Sequence, residues 1–517
     1  MLRKNPIHPI LFGLFPVLSL YSLNTALVPT RDVVWPLLLI LGGTCFVWLI
    51  LGLILRSSQR GAMGASVSVV LFFAFGHAWD LVHKQKLLSK LIPFRGDFLP
   101  FWLAVFIVAV ILACWKWKRI DGFTSAMNVG GIVLAGFPFL SILISWFSAW
   151  HGTSIGAMSG QETKLKVDDR PDIYYIILDG YGRSDSLKRV IGFSNDWFIK
   201  GLESRGFFVA TDSKSNYCQT ELSLSSSLNL GYLPKVLPDM SPSWTDRTVL
   251  DGLIDENQVS KYLKKIGYRY EAVTTGFPSV RPYSADLWFH SADGLSYFSG
   301  VLLNEIPVSP SNDVATESQY DSRRQYLNGA LTHLQESVST SQPRFIFAHI
   351  LAPHPPFVFD ENGKSVAPTG HMFAYVDASD FFDYGGTVKE YRDGYTGQAT
   401  YLSKRILQVV DQILKSSTKP PVIILQGDHG SKLRMSQTSV DKSDLNECFP
   451  NLNAYFVPKS VRANLYPGIT PVNSFRMLFN GLFDDHFTKL PDESFYSSWL
   501  TPFKFIDVTK RIRPVSP

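Results

Sequence analysis

Five apolar runs in the first 150 residues constrain this chain more than any other feature: Pro9 to Val28, Val33 to Leu55, Ala62 to Val82, Phe98 to Trp115 and Val129 to Trp150. Each is near the ~20 residues that a helix needs to cross the hydrocarbon core of a bilayer. Backbone groups in lipid must be satisfied within the segment, so runs of this kind predict helices. Four further runs follow the first, and no clean small-residue cleavage site appears, which argues against a signal peptide. Trp35, Trp115, Trp117, Trp146 and Trp150 stand near the run ends, where amphipathic rings favour the interface.

Basic residues in the short loops set the expected orientation. With the N-terminus inside, the inner loops hold Arg3, Lys4, Arg56, Arg60, Lys116, Lys118 and Arg119, against Arg31, Lys84, Lys86, Lys90 and Arg95 outside. The balance favours N-in, and an odd number of spans then places the rest of the chain outside the cytoplasmic membrane. A net charge of +5 over 517 residues, without a basic stripe interleaved with aromatics, implies no nucleic-acid partner.

The expected organisation is a transmembrane domain of five helices (1–150), a polar Gly/Ser-rich linker (151–170) and an extracytoplasmic domain (171–517). In that last part "IYYIIL" before Asp179, "PRFIFAHIL" and "PPVIILQGDHG" are apolar runs with helical patterns between them. Such an alternation predicts an α/β sandwich around a mostly parallel sheet. Ligands of such sheets bind beyond the carboxyl ends of the strands. Here those ends carry Asp179, then His349 and His354, then Asp428 and His429. An Asp at a strand end often only caps a turn, and a histidine placed like His349 is more often a buried, hydrogen-bonded core residue than a ligand, although it stands beside His354. Two carboxylates and an imidazole can also hold one divalent ion.

The stretch "NYCQTELSLSSSLN" adds a hydroxyl. Thr220 and Glu221 suit a helix start, with Thr as N-cap. The alternative is that Thr220 faces an anion at the helix terminus and is a nucleophile activated by the ion. Arg281, in "FPSVRPYSADLWFH", is either a bidentate phosphate clamp or a solvated side chain. His77, Asp80 and His83 at the outer end of the third run either snorkel or touch lipid head groups.

"ILDG", "NYCQTELSLSSSLN", "HILAPHPPF" and "LQGDHG" occur in the order found in the alkaline phosphatase/sulfatase superfamily. The chain resembles the membrane-anchored phosphotransferases of that superfamily: lipoteichoic acid synthases, phosphoglycerol transferases and lipid A phosphoethanolamine transferases. The resemblance implies five spans before an alkaline-phosphatase-like α/β/α domain. It also implies a metal site of Asp179, Thr220, Asp428 and His429, with Thr220 as nucleophile and His354 beside the transferred phosphoryl group. One manganese or zinc ion fits that donor set, with magnesium compatible. The donor would be a membrane phospholipid, and the acceptor a cell-surface glycan or lipid. Formylglycine sulfatases mature a Cys or Ser within C/S-x-P-x-R, whereas "CQTEL" lacks the Pro and the Arg. A second metal, as in alkaline phosphatases, would call on Asp286, His290 and His486. A hydrolase of the same fold is the nearest rival, and a non-catalytic membrane receptor the more distant one. Cys218 and Cys448, the cysteines outside the spans, are either a disulfide formed in an oxidising compartment or two buried thiols.

Overall fold

The computed structural model describes residues 5–25, 28, 30–83, 85, 88, 92, 95–115, 120–150, 170–277, 279–289, 297–307, 312–336, 342–367, 378–382 and 385–513. Residues 151–169 of the expected linker at 151–170, His290 and the loop residues Arg3, Lys4, Lys84, Lys86, Lys90, Lys116, Lys118 and Arg119 lie outside these. The chain divides into two compact units: Met1–Gly152 with Leu295–Ser318, and Thr153–Gly294 with Gln319–Pro517.

The first unit contains α1 (His8–Ser22), α2 (Thr30–Leu55), α3 (Ser58–His83), α4 (Arg95–Ala113) and α5 (Ile120–Trp150). Among the described residues four of these, α2 to α5, are long and apolar enough to cross a membrane. The first expected span, Pro9 to Val28, is corrected: the helix covers only His8–Ser22. At 1.5 Å per residue that is shorter than the ~30 Å hydrocarbon core. Small residues bring the helices close, as interfaces without a hydrophobic driving force require. A Cβ on Gly61 would stand 2.5 Å from the Gly52 nitrogen, and one on Gly131 2.9 Å from the Leu11 Cβ.

The second unit is built on a sheet of β1 (Ile173–Leu178), β2 (Phe208–Val209), β3 (Arg269–Thr274), β4 (Leu287–Phe289), β5 (Arg344–Ile350), β6 (Val422–Gln426) and β7 (Asn453–Phe456), in the order β2-β7-β6-β1-β5-β3-β4. The five strands β6-β1-β5-β3-β4 are parallel, and β7 and β2 add an antiparallel edge. β1 is buried at every position, because helices cover both faces. On one face Ile176, Ile346 and Leu425 pack with Leu331, Ile406 and Val410; on the other Tyr175, Phe347 and Ile424 pack with Leu224, Leu228, Phe475 and Phe479. These contacts make the α/β/α sandwich with a mostly parallel sheet that the alternating pattern predicts.

Candidate metal and nucleophile site

The parallel register places the carboxyl ends of three neighbouring strands side by side. Leu178 of β1 is level with Ile350 of β5, and Ile177 with Gln426 of β6. The residues that follow therefore converge without long side chains. Asp179 turns out of β1 at Gly180, whose φ of +73° is in the left-handed region that glycine adopts at no steric cost. Asp428 and His429 leave β6 after Gly427, where a Cβ would stand 2.2 Å from the Tyr181 carbonyl oxygen. That tip is closed to any larger residue.

Asp179, Asp428 and His429 form one group whose ligand atoms lie within 4.8 Å of one another, all buried. His429 Nε2 is 3.2 Å from Asp428 Oδ2 and 3.7 Å from Asp179 Oδ1. The opposite ring nitrogen, Nδ1, is 2.8 Å from the Gly430 carbonyl oxygen. A carbonyl only accepts, so Nδ1 carries the proton and the Nε2 lone pair faces the carboxylates. Among the described residues Asp179 Oδ1 and Asp428 Oδ2 are buried without a hydrogen-bond donor. Buried anionic oxygens facing a lone pair repel one another unless a cation lies between them, so this donor set fits a divalent ion.

Thr220 is the first residue of α6 (Thr220–Leu228), and Gln219 holds the N-cap position. This corrects the reading of Thr220 as an N-cap. Its hydroxyl turns away from the helix backbone, 3.4 Å from Asp179 Oδ2 and 3.3 Å from His429 Nε2. One turn later Ser223 donates to the Asp428 carbonyl at 2.7 Å, fixing the helix start against the β6 tip.

Both histidines of the β5 end adjoin Asp179. His349 is fully buried with Nε2 3.2 Å from Asp179 Oδ2, and its ring packs beside Phe277. The His354 backbone N–H donates to the Asp179 carbonyl at 3.2 Å, and its Nδ1–H donates to the Pro355 carbonyl at 2.6 Å. Burial alone would raise the Asp179 carboxyl; the imidazoles of His354, His349 and His429 outweigh it and hold the group well below the carboxylate range.

Arg281 is in the loop after β3, half-buried, and its charge acts on Asp251. Burial pushes the Asp251 carboxyl well up, the neighbouring Glu221 carboxylate adds to this, and Ser279 and Arg281 oppose it. Asp286 stands apart from the site: it precedes β4 at the amino ends of the strands, where it accepts from Lys264 at 2.6 Å and from the Tyr270 N–H at 2.9 Å. His486 is exposed on the loop after the Pro471–Phe483 helix. Cys218 and Cys448 are thiols, not a disulfide, and both are buried in one cluster with Phe449 and Tyr496.

Several supporting residues escape a reading of the sequence. Glu447, fully buried, accepts from Ser431 Oγ at 2.8 Å and from the N–H groups of Leu433 at 2.6 Å and Arg434 at 2.9 Å, which shapes the loop after His429. Tyr395 donates to the Gly180 carbonyl at 2.9 Å and Asn451 to the Gly427 carbonyl at 2.6 Å. Only Ser223, three residues after Thr220 on a helix, carries a local signal.

Residues 242–468 match the sulfatase family model, a span that takes in Asp428 and His429 and begins after Asp179 and Thr220. No curated protein matches the chain in sequence. Among solved structures, the C-terminal periplasmic domain of EcEptC from Escherichia coli is similar at 11% identity and a TM-score of 0.44, covering 68% of this chain and 96% of that one. The C-terminal periplasmic domain of the phosphoethanolamine transferase EptC from Campylobacter jejuni is similar at 11% identity and a TM-score of 0.36, with 67% and 96% covered. For the soluble domain of lipooligosaccharide phosphoethanolamine transferase A from Neisseria meningitidis the values are 11%, 0.36, 63% and 90%. Part of the sheet unit, residues 242–468, thus matches the sulfatase family model, and the α/β/α sandwich that holds it is preceded by apolar helices of membrane-spanning length.

Proposed function

We propose that the protein is a metal-dependent phosphotransferase that moves a phosphoglycerol- or phosphoethanolamine-type head group from a membrane lipid to a cell-surface glycan or lipid. The observation that carries this reading is the Thr220 hydroxyl, buried at the helix start and facing Asp179 Oδ2 at 3.4 Å and His429 Nε2 at 3.3 Å. A threonine hydroxyl is a weak nucleophile at neutral pH and needs an activator. Asp179, Asp428, His429 and Thr220 would hold a divalent cation, manganese or zinc by donor type, with magnesium compatible. Such an ion lowers the pKa of a neighbouring hydroxyl and neutralises charge on a phosphoryl oxygen.

In the first half-reaction the Thr220 oxygen bonds to phosphorus, and the bond from phosphorus to the lipid oxygen breaks. With the His429 Nε2 lone pair committed to the ion, the nearest acceptor for the hydroxyl proton is Asp179 Oδ2, and the leaving lipid oxygen takes up a proton, for which His354 is the candidate donor. In the second half-reaction an acceptor hydroxyl attacks the phosphothreonine and gives its proton back to His354, while the bond from phosphorus to Thr220 breaks and the Thr220 oxygen recovers the proton held at Asp179. His349 would hold Asp179 in place, and Arg281 would meet the phosphate or the head group. Membrane-length helices support a lipid donor, because an enzyme confined to the bilayer meets that donor without searching bulk solution.

The test is an assay with a lipid labelled in its head group, in the presence and absence of candidate acceptors. Transfer of label to an acceptor in excess of free release supports the transferase. Release to water at the same rate whatever the acceptor would replace it with the hydrolase.

A further inference from the structure

One short helix interrupts the sheet unit's sequence and belongs to the other unit. The Tyr297–Asn304 helix follows β4 and precedes β5 in the chain, yet it packs against α1 and α2 of the first unit. In the Tyr297–Asn304 helix, Phe298 and Leu302 are four apart and so share one face. Both are buried in a cluster with Val17 and Tyr21 of α1 and Val33 of α2. The Phe298 ring meets Tyr21 edge-on, with centroids 6.5 Å apart. One residue past the helix, Glu305 engages α3 twice: its carbonyl accepts the Gly76 N–H at 3.2 Å, and its Oε2 is 3.5 Å from His77 Nε2.

We infer that residues 297–306 are a second anchor, which binds the catalytic part of the chain to the membrane helices independently of the linker at 153–169. An eight-residue helix is unstable by itself in water, so its order depends on the surface it packs against. That surface is made by α1, α2 and α3, and the contacts combine a buried apolar face with a polar stop at Glu305. The segment is attached to the sheet through β4, whose carboxyl end is at the same end of the sheet as Asp179 and Asp428. The anchor is thus tied to the site end of the sheet and the linker to its opposite end, ahead of β1.

The test uses the full chain, carrying a specific protease site within 153–169 and an affinity tag at the N-terminus, in mild detergent. After cleavage the C-terminal fragment stays with the tagged membrane fragment, and Phe298→Asp with Leu302→Asp increases its release at least tenfold. The uncut double variant elutes as the wild type does, which shows that it folds. As a second measurement independent of that variant, Tyr21→Cys with Phe298→Cys treated with a short bismaleimide keeps the two fragments joined on a denaturing gel. Release of the wild-type fragment on cleavage, equal retention of the double variant, or absence of the 21–298 cross-link would overturn the anchor.

Discussion

Asp428 and Gly180 lock two neighbouring strand ends together. Asp428 Oδ1 accepts the Gly180 N–H at 2.9 Å and the His429 N–H at 3.0 Å. Its other oxygen, Oδ2, has no donor among the described residues and lies 3.2 Å from His429 Nε2. The carboxylate thus divides its work between backbone and ion. Asp428→Asn keeps an oxygen for the two N–H groups and removes the charge. We predict that metal affinity falls by at least ~10-fold while the melting temperature stays near wild type. Elemental analysis after dialysis reads this directly, and wild-type metal content in the variant would exclude Asp428 as a ligand.

The loop after His429 tolerates no side chain at Gly430. A Cβ there would stand 1.9 Å from the Glu447 carbonyl oxygen and 2.9 Å from that of Pro450. Both are backbone atoms, so relief requires the main chain to move. Gly430→Ala is predicted to cost about 2–3 kcal/mol and to lower activity by displacing His429. An unchanged melting curve would contradict this packing.

Glu447 gives the same loop a pH dependence. Burial pushes its carboxyl up to about 7, opposed by the bonds from Ser431, Leu433 and Arg434 and aided by the nearby Asp444. The folded state thus holds this proton more tightly than the unfolded chain does. Stability from this group is fully present below the unfolded value near 4.5 and is lost as pH rises through about 7. At about 1.4 kcal/mol for each pH unit between those values, the change is on the order of 3 kcal/mol. Glu447→Gln removes it. The melting temperature of the wild type, measured relative to this variant, should fall by about 5 °C from pH 5 to pH 8. A constant difference across that range would show that Glu447 does not titrate there.

The loop charges predict that residues 151–517 are outside the cytoplasmic membrane. A reporter active only in the cytoplasm, fused after Pro517, is expected to stay silent. Strong reporter activity would reverse the topology and remove the access to outer-leaflet acceptors that the proposed reaction needs.

What the sequence reveals follows from burial. β1, β5 and β6 are covered on both faces, so each reads as a largely apolar run whose polar residues stand out near its carboxyl end, and these mark Asp179, His349, Asp428 and His429. β2 and β4, with two and three residues, are too short to carry a pattern. α1 differs from expectation because helix stops at Ser22, before the apolar run does. The Tyr297–Asn304 helix is hidden for the opposite reason: eight mostly apolar residues look like any core helix, and only tertiary packing shows which unit they join. Glu447, Tyr395 and Asn451 support the site through main-chain bonds to residues far away in sequence, which no local pattern records.

The central claim is that Thr220 bears the phosphoryl group. Because its hydroxyl caps no backbone N–H among the described bonds, Thr220→Ala should leave fold and metal content nearly unchanged. Thr220→Ser keeps a hydroxyl and should retain part of the activity. The decisive measurement is peptide mass spectrometry of metal-replete protein quenched in acid during turnover of a phospholipid donor. The account predicts a phosphorylated head-group adduct on the peptide containing Thr220, absent from Thr220→Ala along with turnover. Near-normal turnover by Thr220→Ala, or turnover by the wild type with no adduct at Thr220, would contradict it.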